Sequence, residues 1–199
     1  MNQKDIRFGA IAALLVGVLS LPTLNSNLTR YGVSTHILIA FILTSLTIIG
    51  LITLRLLSRW ISILWQMAKF IVVGGLNTFL DFAVLNLLIT ATGVAAGGTF
   101  SFFKAISFSI AVMNSYLWNK YWTFEVGKGN KAEFMEFILV SLVGLGINVG
   151  SASLLVNFVS PLFGLGPVNW ANLSALIATF LGLVWSFLGY KLIVFKKAS

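Results

Sequence analysis

The stretch "FILVSLVGLGINVGSASLLVNFVSPLFGLGPVNWANLSALIATFLGLVWSFLGY", residues 137–190, contains no aspartate, glutamate, lysine or arginine. A helix that crosses a membrane needs about 20 apolar residues, so this run is too long for a single crossing. Its middle part, "SPLFGLGP" at residues 160–167, contains proline and glycine, which end a helix readily. The stretch therefore predicts two membrane-spanning helices joined by a short connection.

The rest of the chain is almost as apolar. Of its 199 residues, 58% are hydrophobic and 9% are charged, and the mean hydropathy is +0.99. So few charges cannot cover the surface of a soluble fold of this size. The net charge of +8 does not indicate nucleic-acid binding, because the basic residues stand singly between apolar runs. We predict an all-α integral membrane protein with no nucleic-acid partner.

Four further apolar runs precede the opening stretch, which brings the predicted number of transmembrane helices to six. They cover Phe8 to Leu24, Val33 to Leu54, Phe70 to about Ala91, and about Thr99 to Tyr121. A signal peptide is the alternative interpretation of the first run, but no small-residue cleavage site follows it.

The distribution of basic residues predicts the orientation in the membrane. With the amino terminus in the cytoplasm, eleven of the 13 lysines and arginines fall on the cytoplasmic side, and only Arg30 and Lys104 fall outside. Cytoplasmic loops of membrane proteins carry such an excess. We therefore expect both termini to be cytoplasmic.

The last four predicted helices contain an internal repeat, in which the segment 74–124 aligns without gaps with the segment 145–195. This repeat alignment pairs Gly75 with Gly146, Asn77 with Asn148, Ser115 with Ser186, Leu117 with Leu188, Lys120 with Lys191 and Phe124 with Phe195. Each copy is a helical hairpin that begins and ends on the same side, so the pattern predicts two similarly oriented hairpin repeats.

The stretch "KFIVVGGLNTFLDFAVLNLL", residues 69–88, and "NSYLWNKYWTF", residues 114–124, closely resemble the GtrA-like family of small bacterial membrane proteins. The resemblance implies a place in the bacterial cytoplasmic membrane and a role in moving polyprenyl-phosphate-linked sugars for cell-surface polysaccharide synthesis. It covers about residues 66–196, which predicts a four-helix domain at residues 66–199 and a two-helix extension at residues 1–65 with no assigned role. One departure is Lys120, because the family more often has arginine there.

Asp81 is the only acidic residue inside a predicted transmembrane helix. A carboxylate in the membrane is unfavourable by a few kcal/mol unless it is paired, protonated or hydrated, which favours a functional role. Asn77, Thr78 and Asp81 follow Gly74 at helical spacing and form one polar stripe. The alternative is a helix-packing role, with Asp81 bonded to Asn114 or Lys104.

Three lysines lie at the predicted cytoplasmic ends of the helices, where a lipid phosphate would arrive: Lys69, Lys120 and Lys191. Ordinary membrane anchoring by positive charge is the alternative. Two tryptophans beside them, Trp118 and Trp122, are candidates for stacking on sugar rings, with an interfacial aromatic belt as the alternative. The remaining candidates for substrate binding are Lys104, Asn114, Asn119 and Asn148, beside Asn77 and Asp81.

The sequence contains no nucleotide-binding loop, catalytic triad or metal-spaced cluster, so we expect neither enzymatic activity nor a cofactor. The first hypothesis is a translocase (flippase) for polyprenyl-phosphate-linked sugars, or a component of one. The second is a non-transporting adaptor that anchors a membrane glycosyltransferase. A third is a small-cation or proton exporter that uses Asp81. The expected partners are the lipid-linked sugar, bilayer lipids, a glycosyltransferase and further copies of this chain.

Overall fold

A computed structural model describes residues 3–28, 30–61, 63–94, 97–126, 131–162, 164 and 167–196. Within these ranges the chain is all-helical, which confirms the all-α part of the predicted fold class. The six α-helices are α1 (Gln3–Asn27), α2 (Val33–Leu57), α3 (Ile63–Thr92), α4 (Gly97–Trp118), α5 (Lys131–Phe158) and α6 (Pro167–Gly189). The connection predicted at residues 160–167 falls between α5 and α6.

Three helices are long and apolar enough to cross a membrane, judged over the residues that the structure describes. They cover Gln3–Ser26, Val33–Leu57 and Ile63–Thr92. A shorter apolar helical segment covers Phe180–Val194. The chain is thus a helical membrane protein, and the count of six crossings stays a prediction for α4, α5 and α6.

The chain divides into two compact units, residues 1–125 and residues 126–199. In the first unit α1 packs against α2 and α3, and α3 packs against α4. The core of this unit consists of Ala12, Val16, Leu51, Trp65, Ala68, Val73, Leu76 and Trp122. The predicted extension at residues 1–65 therefore shares one core with α3 and with the residues that follow α4. In the second unit α5 packs against α6.

Close helix crossings in both units depend on glycine. A Cβ atom added to Gly17 of α1 would collide with Thr44 and with the backbone of Ala40 on α2. In the second unit, a Cβ atom on Gly144 of α5 would lie 2.7 Å from the Ser186 Oγ on α6. Small residues allow helix backbones to approach closely in membranes, where packing replaces the hydrophobic effect as the main attraction between helices.

Both hairpins end in a short π-helix. The first π-helix, Asn119–Thr123, continues α4, and the second, Tyr190–Val194, continues α6. Each is closed by a backbone hydrogen bond of the π type, from the Phe124 N–H to the Asn119 oxygen (2.8 Å) and from the Phe195 N–H to the Tyr190 oxygen (2.7 Å). The repeat alignment pairs Asn119 with Tyr190, so both π-helices begin at the same position of the repeat. This shared feature fits the predicted duplication, which as a whole stays a prediction.

Candidate functional site

Lys69 lies in the second turn of α3, and its side chain is almost completely buried. Its Nζ atom is 2.7 Å from the Asp5 Oδ1 atom and 2.8 Å from the Glu125 Oε1 atom. It also donates a hydrogen bond of 3.1 Å to the backbone oxygen of Trp122. We call Asp5, Lys69 and Glu125 the Lys69 cluster. A buried ammonium requires such partners, because removal from water is unfavourable by several kcal/mol per ion.

Aromatic rings surround the Lys69 cluster. The Lys69 Nζ atom is 5.4 Å from the ring centroid of Trp65 and 6.0 Å from that of Trp122. The Trp65 Nε1 atom donates a hydrogen bond of 3.2 Å to the Asp5 carboxylate. Phe8 of α1 stacks on Trp122 and meets Trp118 edge to face. The aromatic residues near Lys69 therefore shield Lys69 and Asp5 from water and favour the cation electrostatically.

Sequence reasoning identified Lys69 as a candidate but missed its two carboxylate partners. Asp5 lies near the amino terminus and Glu125 follows the fourth predicted helix, so both are distant from Lys69 along the chain. One signal was available: the chain has only five acidic residues, so a lysine buried at the start of a helix has few counter-ions to choose from. The structure also shows that Lys69 is not an open cation, since both carboxylates contact it directly.

The first π-helix holds three of the candidate residues. The Lys120 side chain is buried, and its Nζ atom is 3.1 Å from the Tyr116 hydroxyl oxygen. Asn119 is buried and donates a hydrogen bond of 2.9 Å to the Ser115 backbone oxygen. Trp122 is fully buried, so its ring would have to move before it stacked on a sugar. In this structure Trp122 is part of the core.

A line of polar contacts joins α3 to α4 within the apolar part of the first unit. The Asn114 Nδ2 atom donates to the Asn77 Oδ1 atom at 2.8 Å, and the Trp118 Nε1 atom donates to the Asn114 Oδ1 atom at 3.1 Å. The Ser107 hydroxyl donates to the Asp81 Oδ1 atom at 2.6 Å. We call the hydrogen bonds formed by Asn77, Asn114, Asp81 and Ser107 the polar contacts. They bring together three of the predicted site residues, Asn77, Asp81 and Asn114.

The residues of the predicted polar stripe of α3 do not all contact the same helix. Asn77 and Asp81 contact α4, whereas Thr78 bonds to the Gly74 backbone oxygen of its own helix at 3.0 Å. Lys104, the proposed alternative partner of Asp81, lies in α4, but its side chain is outside the part of the chain that the structure describes. Only half of the stripe therefore takes part in the contacts between helices.

The two candidates in the second unit lie on different elements. Asn148 lies on α5 close to α6, where a Cβ atom added to Gly182 would be 3.3 Å from the Asn148 Cβ atom. Lys191 lies in the second π-helix, with its Nζ atom 5.9 Å from the ring centroid of Phe187. Lys191 is partly exposed, unlike the buried Lys69 and Lys120 of the first unit.

An apolar cavity of about 330 Å³ lies along one side of α3 in the first unit. It is lined by residues of α1, α2 and α3, among them Leu43, Gly50, Leu54, Ala68, Val72 and Phe79. Ala68, which lines the cavity, precedes Lys69 in the sequence, but Lys69 itself does not line it. The cavity lining is suited to a hydrocarbon chain, because it offers apolar side chains and few hydrogen-bonding groups.

The arrangement of charged and polar groups is suited to binding rather than to catalysis. The buried lysines can hold an anion, and the amides and hydroxyls can exchange hydrogen bonds with a hydroxylated ligand. Within the described ranges, no group of three histidine, aspartate or glutamate side chains is placed to hold a metal ion.

Comparison with known proteins gives two matches. The family described as GtrA/DPMS, transmembrane domain, matches residues 69–195. An uncharacterized membrane protein of Bacillus subtilis (strain 168), YngA, is 32% identical over 132 residues, and the match covers 65% of this chain and 78% of that protein. No solved structure matches the chain significantly.

Proposed function

Because this chain belongs to the GtrA/DPMS transmembrane family, whose members are membrane proteins linked to polyprenyl-phosphate sugar processes, we propose that it is a flippase for polyprenyl-phosphate-linked sugars, or a component of one. The lipid-linked sugar that it moves would serve the synthesis of cell-surface polysaccharides. The observation that carries the proposal is the line of polar contacts between α3 and α4, where amide, hydroxyl and carboxylate groups lie between two apolar helices.

A sugar that enters the membrane must replace the hydrogen bonds that it loses with water. An unpaired hydroxyl in an apolar medium is unfavourable by roughly 2 to 7 kcal/mol, depending on the reference state. The polar contacts offer both donors and acceptors, and each of them joins two side chains that can exchange a partner without breaking a helix. In the proposed mechanism the sugar hydroxyls take the place of these contacts one after another.

Asp81 is the carboxylic acid among the residues of the polar contacts, so it is the residue there that can carry a negative charge or transfer a proton. It follows Lys69 on α3 at a distance of about 18 Å at the usual helical rise, which places it far from the ends of the helix. Carboxylates at such depth are generally associated with transport pathways or with proton transfer. Because the sequence has no nucleotide-binding loop, we propose that transport is downhill or coupled to an ion gradient.

The charged and apolar parts of the lipid would use different surfaces. Lysines at the predicted cytoplasmic ends of the helices would attract the phosphate, and the main candidates are Lys69 and Lys120 of the first unit. The polyprenyl chain would stay in the bilayer or along the apolar cavity of the first unit. The proposed location is the bacterial cytoplasmic membrane, with both termini in the cytoplasm.

The polar contacts also fit the second hypothesis, a membrane adaptor that positions a glycosyltransferase. Asn77 and Asp81 both have partners on α4, and such hydrogen bonds commonly hold membrane helices together. An adaptor needs no passage for sugar, so Asp81 would be replaceable by asparagine, and residues 125–136 would carry the function.

Native mass spectrometry of gently extracted protein tests the proposal. A flippase for these lipids should retain a polyprenyl phosphate or its sugar-linked form through extraction. Protein that carries a glycosyltransferase and no polyprenyl lipid would support the adaptor instead. A retained small cation in place of lipid would support the exporter.

A further inference from the structure

The two carboxylates that contact Lys69 have different surroundings. Asp5 is buried on α1 and also accepts the hydrogen bond from Trp65. The side chain of Glu125 is 40% exposed, and Glu125 follows the first π-helix in a non-helical segment. Asp5 is therefore held in place by two contacts inside the core, whereas Glu125 reaches Lys69 from the surface.

The backbone of Glu125 is in an unfavourable conformation. Its φ angle is 55°, in the left-handed region that residues with a side chain rarely adopt. The contact that accompanies this conformation is the 2.8 Å ion pair with Lys69. Release of the Glu125 carboxylate from Lys69 would allow the backbone to relax. The strained backbone of Glu125 therefore favours the breaking of its ion pair with Lys69.

Lys69 does not need both carboxylates to be neutralised. Asp5 alone matches its charge at 2.7 Å, and the Trp122 backbone oxygen accepts a further hydrogen bond. Glu125 can thus leave without exposing an unpaired buried ammonium, which would be strongly unfavourable. The departure of Asp5 would instead disrupt the core contact between α1 and α3.

Two buried donors lie in the first π-helix, one on Trp122, whose backbone oxygen accepts a hydrogen bond from Lys69, and one on the next residue, Thr123. Over the residues that the structure describes, neither the Trp122 indole N–H nor the Thr123 hydroxyl has a hydrogen-bond partner. Buried donors are nearly always satisfied in proteins, so two unpaired donors on these residues favour an acceptor-rich ligand at this place. A phosphate supplies several acceptor oxygens at once.

We propose that Lys69 is a lipid-phosphate site at which Glu125 is an exchangeable counter-ion and Asp5 a permanent one. The phosphate takes the place of the Glu125 carboxylate on the Lys69 Nζ atom, and Glu125 returns when the lipid leaves. The proposal rests on the proposed function in that it assigns the lipid-linked sugar a phosphate position. It also gives the amino-terminal helix a role, because α1 supplies the charge that keeps Lys69 paired during the exchange.

The test measures lipid binding to the full chain carrying Glu125→Gln, with Glu136→Gln as the matched control. Both variants remove one negative charge on the same predicted side of the membrane, but only Glu125 contacts Lys69. The lipids are a long-chain polyprenyl monophosphate and phosphatidylglycerol, titrated in nanodiscs. Glu125→Gln should bind a lipid phosphate about three to ten times more tightly than wild type, and Glu136→Gln should stay within about twofold.

A cysteine variant provides a second measurement on the same position. The chain has no cysteine, so Glu125→Cys can be labelled at that single site. Modification by a sulfonate-bearing thiol reagent restores a negative charge and should return the lipid affinity toward that of wild type. Modification by a neutral reagent of similar size should leave the affinity raised, and equal affinities after the two modifications would contradict the exchange.

The use of two lipids distinguishes failure of the counter-ion exchange at Lys69 from failure of the proposed function. A gain of affinity in Glu125→Gln for phosphatidylglycerol alone would support the exchange at Lys69 and contradict the polyprenyl lipid as substrate. A gain for the polyprenyl phosphate would support both. Equal affinities of Glu125→Gln and Glu136→Gln for both lipids would overturn the exchange, even if wild type binds and moves the polyprenyl lipid.

Discussion

When the repeat alignment is extended toward the start of each hairpin, Lys69 of the first aligns with Val140 of the second, and the two residues have opposite roles. Lys69 is buried with two carboxylates and donates to a backbone oxygen. Val140 is buried and apolar, and its backbone oxygen accepts a hydrogen bond of 3.1 Å from the Trp185 Nε1 atom. One hairpin thus carries a charge where the other carries a hydrocarbon side chain.

The same contrast continues along the aligned helices. Asp81 aligns with Ala152, and Asn114 aligns with Trp185. Aromatic packing, by contrast, is common to the π-helix ends of both hairpins: the rings of Phe137 and Tyr190 stack with a centroid distance of 4.6 Å, and those of Trp118 and Trp122 meet edge to face at 5.6 Å. The π-helix begins at the same aligned position in both copies, whereas Lys69, Asp81 and Asn114 of the first copy align with Val140, Ala152 and Trp185 of the second. We infer that the first hairpin handles the lipid head group and the second supports the fold.

The largest expected effect concerns the stability of the two aligned positions. Lys69→Gln leaves two carboxylates facing each other without their cation, and loss of one partner from a buried ion pair typically lowers the free energy of unfolding by about 3 to 5 kcal/mol. Val140→Ala removes two methyl groups and should lower it by about 1 to 2 kcal/mol. Denaturant titration in detergent micelles compares them, and equal losses would show that the Lys69 cluster is no more important than an apolar contact.

The next effect is on lipid binding by the two π-helices. If the first hairpin handles the head group, Lys120→Gln should weaken polyprenyl-phosphate binding by roughly tenfold, because it loses a charge-assisted hydrogen bond. Lys191→Gln should weaken it by about twofold or less. Binding is measured at matched expression and folding. Equal affinities of wild type and both variants would leave these lysines as membrane anchors.

The fold class was predictable because it depends on local properties of the chain. The uncharged run at residues 137–190 and its break at residues 160–167 predicted the hairpin that α5 and α6 form. The repeat alignment also predicted where a second π-helix would begin once the first was known, although nothing local indicated a π-helix. Length, hydropathy and turn residues are enough for conclusions of this kind.

The environment of the candidate site was not predictable, because it depends on contacts between distant parts of the chain. Trp122 looked like an interfacial aromatic residue, but Phe8 of α1 covers its ring and makes it part of the core. Lys69 was predicted to bind a lipid phosphate or to anchor the helix. Its two counter-ions were not predicted, because they come from α1 and from the segment after α4. A periodic pattern shows which residues share a face and does not show what covers that face.

The smallest expected effect concerns the hydrogen bond between Asn77 and Asn114. A double-mutant cycle with alanine at both positions should give a coupling energy of about 0.6 kcal/mol, the average for side-chain hydrogen bonds in a membrane protein. The aligned positions, Asn148 and Trp185, should couple less, because the Trp185 Nε1 atom donates to the Val140 oxygen. Stronger coupling in the second hairpin would contradict the proposed division of roles.

The most direct test is transport of a polyprenyl-phosphate-linked sugar across proteoliposome membranes by wild type and by Asp81→Asn. The variant keeps an acceptor for the Ser107 hydroxyl, so stability and lipid binding should stay close to those of wild type. We expect the transport rate to fall by at least about tenfold, equal to a rise of about 1.4 kcal/mol in the barrier. A wild-type rate in Asp81→Asn would contradict a transport role for the polar contacts and favour the adaptor.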